Sequence, residues 1–332
     1  MDKRYNVYGI GNALVDIVTE VDNSFFGKNG IEPGLMTLVD EERQHHLMKV
    51  IDMKKSKMAC GGSAGNTMIA VSQFGGNAFY SCLVAKDQLG KFFLEDLKRN
   101  GVETNLTYER LSDGITGKCL VMTTPDAERT LNTFLGISSN FSVQQLDEAA
   151  IKDSNYIYLE GYLVTSPDAL EAMKEAKRIA ERNNVKTTLT FSDASMVKYF
   201  RSQMHEVVGA SVDLLFCNEE EAMIYTETSS LLAAREKLKE VAKHFVITLG
   251  ANGALVYDGD TFITIEPYAV KAIDTNGAGD MFAGAFLYGI THNHSYAEAG
   301  KLASLASARV VSQFGPRLSP EQVKKVLADL IA

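Results

Sequence analysis

A short run of small and acidic residues, Asp274–Asp280, has the composition of a reaction site. Its centre is Gly277, Ala278 and Gly279, and the apolar segment Met281–Gly289, which predicts a buried helix, follows directly. The first turn of a helix presents unpaired N–H groups and about half a positive charge, and small residues leave those groups accessible. We therefore expect an anion site here, and a phosphate is the anion most often bound in this way.

The carboxylate of Asp280 would repel a phosphate in this turn unless it has a chemical task. A base at this position takes the proton from a hydroxyl group that attacks phosphorus, while the N–H groups stabilise charge on the transferred group. The alternative is a glycine-rich turn in which Asp280 only complements the helix dipole. Acidic residues at both ends of the Gly-Ala-Gly core favour the catalytic interpretation.

The bulk composition limits the class of protein. The 332 residues are 45% hydrophobic and 23% charged, which predicts one large globular domain with an appendage. A net charge of −9 without a block of Lys or Arg argues against nucleic acid or an anionic membrane as a partner, but not against ATP with its own magnesium. The amino-terminal residues lack a long apolar core, so they give no indication of export. The cysteines are expected to be reduced core residues of a cytoplasmic protein: Cys60, Cys82, Cys119 and Cys217.

From residue 142 onward, predicted strands and helices alternate regularly. This order predicts an α/β domain with a parallel, doubly wound sheet covered by helices. We expect a further strand near Val270, leading into the acidic run. The predicted helices are Ser142–Lys152, Ser166–Asn184, Ser195–Val208 and Ser230–Lys243, and the predicted strands are Tyr156–Glu160, Thr187–Phe191, Leu214–Cys217 and Phe245–Leu249.

A second group of strands interrupts the early part of the chain. Alternating apolar and polar residues predict strands around Asp16 and Met36 and at Thr116–Thr124 and Arg129–Leu135. Between them lies one strand–helix unit, whose helix is expected to begin with Ser63 as its N-cap. We therefore predict one folding unit, with a small β-sheet formed by roughly residues 13–40 and 105–137.

Polar residues are predicted to meet where the parallel strands end, which is where ligands bind in such sheets. Asn12 and Asp16 follow the first strand, and with Gly62 and Asn66 they have the chemistry to bind the hydroxyl groups of a polyol. Asn12 alone is more typical of an ordinary turn, whereas Asp16, within an alternating strand, is less easily explained in that way.

Three further groups have two interpretations each. Asn218 and Glu221, three residues apart, suit a hydrated magnesium ion, or form the solvated first turn of a helix. Arg129 is either a solvent-facing charge or a clamp on the transferred phosphate. Tyr162 is either a core residue or a platform for an aromatic ligand group. The glycine-rich turn with Thr248, Gly250 and Gly253 is predicted to wrap the phosphates of a nucleotide.

With these residues in view, the chain resembles the ribokinase-like (PfkB) carbohydrate kinase family along its whole length. The segment Gly61–Asn66 is similar to the first family signature, Asp274–Asp280 to the second, and Asn218-x-x-Glu221 to the magnesium motif. The resemblance implies a Rossmann-like αβα domain with a β-sheet lid over the acceptor. It also implies ATP and Mg²⁺ as cofactors.

Within this family the chain is most similar to adenosine kinases. The similar stretches are Gly11–Ile17, Thr116–Cys119, Arg129–Leu131, Gly161–Leu163 and Asn218–Ala222. The resemblance implies transfer of the γ-phosphoryl group of ATP to the 5′-hydroxyl of adenosine, giving AMP.

The resemblance also implies a role for each site residue. The base would be Asp280, with the N–H groups of residues 277–280 and Arg129 stabilising the γ-phosphoryl group. Substrate-binding residues would be Asn12, Asp16, Gly62, Ser63 and Asn66 around the ribose and Leu14, Leu38, Leu131 and Tyr162 around the base. Nucleotide-binding residues would be Asn218, Thr248, Gly250, Gly253 and Asn276. Candidates for a K⁺ site are Asp274, Asn276 and the backbone around Gly315.

Two alternatives remain at this stage. One is a sugar kinase of the same family, acting on ribose, fructose or 2-keto-3-deoxygluconate. The other is a catalytically silent ligand-binding regulator. A monomer and a homodimer formed through the lids are both compatible with the sequence.

Overall fold

Two sheets organise the structure. A computed structural model of the protein describes residues 3–34, 36–51, 56–124 and 129–331, except the side chains of Arg129 and Ile331. The described residues form an eight-stranded sheet between layers of helices and a separate five-stranded sheet. This confirms the predicted α/β class with a small second sheet.

The large sheet has the order β13-β12-β11-β10-β9-β8-β1-β5. Its strands run parallel from β5 to β11, and β12 and β13 complete the edge as an antiparallel hairpin. The strands are β1 (Tyr5–Ile10), β5 (Ala78–Ser81), β8 (Ser154–Glu160), β9 (Lys186–Thr190), β10 (Val212–Asn218), β11 (Ala242–Thr248), β12 (Ala254–Tyr257) and β13 (Phe262–Ile265).

The small sheet has the order β3-β7-β6-β2-β4. Its strands are β2 (Leu14–Glu20), β3 (Met36–Leu38), β4 (Lys57–Gly61), β6 (Thr116–Thr123) and β7 (Arg129–Gly136). Sequence analysis predicted four of them and missed β4, which lies outside residues 13–40 and 105–137. Alternation around Asp16 is typical of a half-exposed strand, but Val15, Asp16 and Ile17 are all buried, because helices cover one side of this sheet and the cleft lies on the other.

The helices are α1 (Asn23–Asn29), α2 (Glu41–Val50), α3 (Ser63–Gln73), α4 (Gln88–Arg99), α5 (Glu148–Lys152), α6 (Pro167–Arg182), α7 (Ala194–Tyr199), α8 (Arg201–Val208), α9 (Glu219–Thr226), α10 (Leu231–Leu238), α11 (Ala278–Thr291), α12 (Tyr296–Val311) and α13 (Pro320–Ile331). Among the described residues, none of these helices combines the length and apolar character that crossing a bilayer requires. All four cysteines are free and buried, as expected.

Alternate residues of the central strands separate the core into two apolar clusters. Val7 and Tyr158 pack with α3, α11 and α12 on one face, whereas Tyr8, Ile157 and Leu215 pack with α6, α8 and α9 on the other. Each strand is therefore apolar along both faces, as parallel strands covered by helices are. This burial fixes the strand register, and with it the positions of the residues that follow each strand.

The prediction of a strand near Val270 is wrong. Residues 266–277 form no strand, and Tyr268, Val270 and Ile273 are each about 40% exposed. The segment is attached to the end of α12 instead, because the N–H groups of Ile273 and Asp274 donate to the carbonyl of Val311. Its apolar, β-branched residues suggested a strand, but the segment has no neighbouring strand with which to pair.

Several predicted helix boundaries were also wrong. Residues 142–152 contain a short 3₁₀ turn and α5, because Ser142 and Asp147 cap separate turns. The helix predicted for residues 195–208 is interrupted at Phe200, and the one predicted for residues 230–243 ends at Leu238, before β11. The N-cap of α3 is Gly62 and not Ser63, whose hydroxyl is used elsewhere.

Two glycines of the turn after β11 provide a matched test of backbone packing. Both have positive φ, +58° at Gly250 and +84° at Gly253. A Cβ at Gly250 would meet nothing within 4 Å, whereas one at Gly253 would lie 2.0 Å from the carbonyl oxygen of Ile265. We expect Gly250→Ala to lower the free energy of unfolding by about 1–2 kcal/mol, the cost of a left-handed residue.

Gly253→Ala should lower the free energy of unfolding by clearly more than Gly250→Ala does, because the turn must also move away from β13. Urea unfolding of the ligand-free variants measures both changes. Equal losses in the two variants would contradict the close approach at Gly253.

Candidate active site

The carboxyl ends of the parallel strands and one face of the small sheet enclose a cleft of about 440 Å³. This volume lies in the range of about 300–1,000 Å³ that small-molecule sites occupy. Most of the predicted site residues line it: Asn12, Leu14, Asp16, Leu38, Gly62, Ser63, Asn66, Leu131, Tyr162, Asn218, Glu221, Thr248, Asn276, Gly277, Ala278, Gly279 and Asp280. Residues from both ends of the sequence therefore meet in one cleft.

The carboxylate of Asp280 accepts two hydrogen bonds from helix α3. The hydroxyl of Ser63 donates to Oδ1 at 2.6 Å, and Nδ2 of Asn66 donates to Oδ2 at 3.0 Å. Asp280 lies in the first turn of α11, so the first turns of two helices meet at this carboxylate. The two bonds fix its orientation while each oxygen keeps a further acceptor position for a ligand hydroxyl.

Loss of hydration raises the pKa of Asp280 to about 6. The bonds from Ser63 and Asn66 and the positive charge of Arg317 act in the opposite direction and do not offset it. A carboxylate with a pKa closer to neutrality is a stronger base than an ordinary aspartate and is still ionised at pH 7. Asp280 therefore has the ionisation state that proton abstraction requires.

The turn before α11 has the shape of an anion site. Gly277 is the N-cap with φ +73°, and a Cβ there would lie 2.3 Å from Cβ of Pro316. The N–H of Ala278 donates to the carbonyl of Thr275 at 3.3 Å. Gly279 is exposed, with nothing within 4 Å of a Cβ position, and its N–H and that of Asp280 precede the hydrogen bonds of the helix. These two groups are the strongest candidates for binding a phosphoryl oxygen.

At the other side of the cleft, Asn12 is held by protein groups at both ends of its amide. Its Oδ1 accepts from the hydroxyl of Ser138 at 3.0 Å, and its backbone N–H and Nδ2 donate to Oε1 of Glu160 at 3.1 and 3.3 Å. One amide hydrogen and one lone pair remain available. Asn12 is thus oriented toward the cleft, although binding of a sugar hydroxyl by this side chain stays a prediction.

Two glycines make room beside these polar groups. Gly62 has φ +89°, and a Cβ there would lie 2.2 Å from the carbonyl oxygen of Asn12. A Cβ at Gly61 would lie 2.3 Å from Oδ1 of Asp16. Side chains at these positions would displace the loop after β1 and the carboxylate of Asp16, so the glycine-rich start of α3 has a steric cause.

Glu160, at the end of β8, is a site residue that sequence analysis missed. It lines the cleft, is 1% exposed, and accepts from the N–H of Ala64 at 2.7 Å as well as from Asn12. Burial raises its pKa to about 7, against the effect of these hydrogen bonds. The signal was present, because Glu160 ends a predicted strand of the parallel sheet, where ligands bind.

The predicted magnesium residues form a capping box at the start of α9. The N–H and Nδ2 of Asn218 donate to the carboxylate of Glu221, and the N–H of Glu221 donates to Oδ1 of Asn218. Burial raises the pKa of Glu221 to about 7. Within the described ranges, no group of three or more His, Cys, Asp or Glu side chains could hold a metal ion. Two oxygen-bearing side chains in the cleft still suit a magnesium ion that keeps most of its waters.

Four other predicted residues lie outside this cleft lining: Gly250, Gly253, Asp274 and Gly315. Gly250 and Gly253 belong to the turn after β11, whereas Thr248, the last residue of β11, reaches the cleft. Asp274 accepts from the N–H groups of Asn276 and Gly315, both at 2.9 Å, so the predicted K⁺ ligands are adjacent to one another. Arg129 begins β7, but its side chain lies outside the described part of the structure.

The wall that the small sheet gives to the cleft is largely apolar. Side chains on one face of its strands alternate with residues buried on the other side. The apolar residues of this wall are Leu14, Met36, Leu38, Leu131 and Leu135. Opposite them, Tyr162 and Met196 continue the apolar surface from the large domain. One part of the cleft is therefore polar and charged, and the neighbouring part suits a flat apolar group.

A match to a known protein family agrees with this fold and this site. Residues 35–323 match the pfkB family carbohydrate kinases, and the chain belongs to this family. It is therefore a kinase of the sugar and nucleoside class, as its resemblance to this family predicted.

Three relatives illustrate the likeness. The crystal structure of adenosine kinase from Sinorhizobium meliloti is 35% identical, with a TM-score of 0.90 over 97% of this chain and 99% of that chain. A probable sugar kinase protein from Rhizobium etli CFN 42 is 33% identical, with a TM-score of 0.91 over 99% of each chain. Adenosine kinase of Saccharomyces cerevisiae is 26% identical over 336 residues, which cover 95% of this chain and 97% of that protein.

The raised pKa of Asp280 predicts a stability cost that depends on pH. Its folded value of about 6 lies above the ordinary 3.8, so the folded protein loses stability as pH rises from about 4 to about 6. Asn at position 280 cannot ionise and can still bond to Ser63 and Asn66. Asp280→Asn should therefore be more stable than the native protein, by about 1–2 kcal/mol more at pH 8 than at pH 5.

Urea unfolding at the two pH values measures this difference. The exposed Asp113→Asn is the control and should show the same stability change at both. An advantage of Asp280→Asn that does not grow with pH would contradict the desolvated state of Asp280.

Proposed function

We propose that the protein is an adenosine kinase, which transfers the γ-phosphoryl group of ATP to the 5′-hydroxyl of adenosine. The observation that carries this proposal is the apolar wall beside the polar part of the cleft. A free sugar presents hydroxyl groups on all sides and gains little from such a wall, whereas a purine base gains by burying its faces there. The likeness to adenosine kinases of S. meliloti and S. cerevisiae supports the same acceptor.

In this proposal the 5′-hydroxyl of the nucleoside lies against Asp280. Its proton passes to the carboxylate as the oxygen attacks the γ-phosphorus, and ADP leaves on the opposite side. The N–H groups of Gly279 and Asp280 stabilise the negative charge that develops on the phosphoryl oxygens. Ser63 and Asn66 keep the carboxylate oriented before the acceptor arrives.

The ribose and base would use the two parts of the cleft. Asp16 and the oriented amide of Asn12 suit the ribose hydroxyl groups, with Gly62 giving the sugar access to the backbone. Leu14, Leu38 and Leu131 would contact the base from the small sheet. When bound, Mg²⁺ would neutralise phosphate charge, and Asn218 and Glu221 would hold it through its waters.

Other assignments belong to the same proposal. The nucleotide phosphates of ATP would lie near Thr248 and Asn276, and a K⁺ ion near Asp274 and Gly315.

Free, buried cysteines are consistent with action in the cytoplasm. A monomer and a lid-mediated dimer are both compatible with this mechanism.

A sugar kinase is the second candidate. The likeness to the probable sugar kinase of R. etli favours it, since that chain is nearly as similar as the adenosine kinase of S. meliloti. Buried Glu160 beside Asn12 adds polar character at the acceptor end of the cleft. The proposed base and anion site would be the same for both acceptors, and only the role of the apolar wall would differ.

Asp280→Asn tests the proposed base. Turnover of adenosine should fall by about 10²–10⁴, because general base catalysis contributes a factor of this size. The KM for adenosine should change by no more than a few fold, since Asn keeps the size of the side chain, and its amide can accept from Asn66 and donate to the hydroxyl of Ser63. Coupled ADP-release assays measure both constants. Full turnover in this variant, with Asp113→Asn as the matched control, would exclude Asp280 as the base.

Leu131→Ala tests the apolar wall. Removing this partly buried side chain should raise the KM for adenosine about tenfold, equivalent to about 1.4 kcal/mol of lost contact, and leave kcat and the KM for ATP nearly unchanged. Leu232→Ala, at a site that is 61% exposed on α10, is the control and should change none of the constants. An unchanged KM for adenosine in Leu131→Ala would contradict binding of the base against this wall.

A further inference from the structure

Three consecutive residues before α13 touch separate parts of the candidate site. The N–H of Gly315 donates to Asp274, at the start of the acidic run. Pro316 packs against Gly277, the N-cap of the anion-binding helix. The side chain of Arg317 reaches the group that holds Asp280. Sequence analysis assigned a role only to the backbone around Gly315.

Arg317 donates from all three nitrogens of its guanidinium to three different elements. Its Nε donates to Oδ1 of Asn66 on α3 at 3.1 Å, its Nη2 donates to the carbonyl of Cys60 on β4 at 2.7 Å, and its Nη1 is paired with Asp96 on α4. The side chains of Arg317 and Asp96 are only 17% and 11% exposed. This planar, three-way arrangement is specific to arginine, since lysine has one nitrogen to offer.

The bond from Arg317 decides which way the amide of Asn66 faces. Because Nε can only donate, it selects the carbonyl oxygen of the amide, and Nδ2 must then point to the opposite side. On that side it donates to Oδ2 of Asp280. Without Arg317, the amide of Asn66 could turn over and present an oxygen to the carboxylate, which would repel it.

We propose that Arg317 is a positioning residue for phosphoryl transfer. It holds the amide of Asn66 in the orientation that donates to Asp280, and it joins this pair to strand β4 of the small sheet. The inference rests on the proposed role of Asp280 as the base. It does not depend on which acceptor the kinase uses. Asp96 holds the guanidinium in place but does not itself touch Asn66 or Asp280 through any described contact.

The charge of Arg317 acts in the same direction as its hydrogen bond. It lowers the pKa of Asp280, and so opposes the loss of hydration that raises it. The titratable groups around Asp280 are Arg317, Glu160, Tyr80, Tyr158 and Tyr162. Of these, Arg317 is the positively charged one, so its removal should move the acid limb of the kcat profile to higher pH.

The test compares variants that break the same buried ion pair from its two sides. Arg317→Gln removes both the charge and the bond to Asn66, whereas Asp96→Asn breaks the ion pair but leaves the bond to Asn66. We expect kcat of Arg317→Gln to fall about 10–100-fold and its acid limb to rise by about one pH unit. We expect Asp96→Asn to lose stability, to keep kcat within about threefold, and to show no upward shift of the limb.

Arg317→Lys separates charge from geometry. It keeps the positive charge, so the acid limb should stay near its native position, but it cannot hold Asn66 and Cys60 together, so kcat should stay about tenfold low. If Arg317→Gln does not fold, the double variant Arg317→Gln/Asp96→Asn removes the unpaired buried charge. That variant should show the same low kcat and raised limb.

A merely structural ion pair predicts equal effects of Arg317→Gln and Asp96→Asn on kcat and no shift of the acid limb, and that outcome would overturn the proposal. Asp280→Asn in the same assay distinguishes this failure from failure of the base. If Asp280→Asn keeps its turnover, the proposed base is wrong. If Asp280→Asn is inactive and Arg317→Gln is normal, only the role of Arg317 is wrong.

Discussion

The candidate site depends on one carboxylate held ionised where water is scarce. Asp280 has a raised pKa because its hydration is lost, and the hydrogen bonds from Ser63 and Asn66 limit that rise without cancelling it. At neutral pH, ionised Asp280 therefore lowers the free energy of unfolding of the protein. Glu160 and Glu221 line the same cleft, and burial raises the pKa of each to about 7. Three desolvated acids in one cleft are a local destabilisation that the two large apolar clusters of the core must offset.

The fold supplies the rigidity that such a carboxylate requires. Burial on both faces of the large sheet fixes the strands, and the strands place their following residues at one edge. Helices α3 and α11 then bring Ser63 and Asp280 into contact although 217 residues separate them in sequence. The small sheet covers this edge with an apolar wall, so the same cleft combines ionisable polar groups with an apolar surface.

The sequence was informative where local chemistry decides the structure. The glycine turn that begins α11, the polar residues after β1 and β10 and the α/β class were predicted from residue types and spacing alone. Strand β4 was missed because its five residues, Lys57–Gly61, include no β-branched side chain and show no clear alternation of apolar and polar residues. The strand near Val270 was predicted wrongly, because local propensity cannot reveal the absence of a partner strand. Arg317 gave no local signal, since its three partners lie more than 200 residues away.

The N-cap of α3 illustrates the same limit. Ser63 is a good capping residue by type, but its hydroxyl is used by Asp280, and Gly62 takes the cap because only glycine tolerates both its φ of +89° and the nearby carbonyl of Asn12. A residue type therefore predicted a local role, and a distant contact replaced it. Such replacements concentrate at the site, where function and local preference compete.

The most direct measurement is ADP release from ATP and Mg²⁺, with K⁺ present, against adenosine, inosine, guanosine, cytidine, ribose, fructose and 2-keto-3-deoxygluconate at equal concentration. We expect adenosine to have the highest kcat/KM and free ribose to be turned over far more slowly, because only the nucleoside has a base that contacts the apolar wall. Preferred turnover of a free sugar would contradict the assignment of that wall to a base. Absence of turnover with every acceptor would contradict the kinase mechanism built on Asp280.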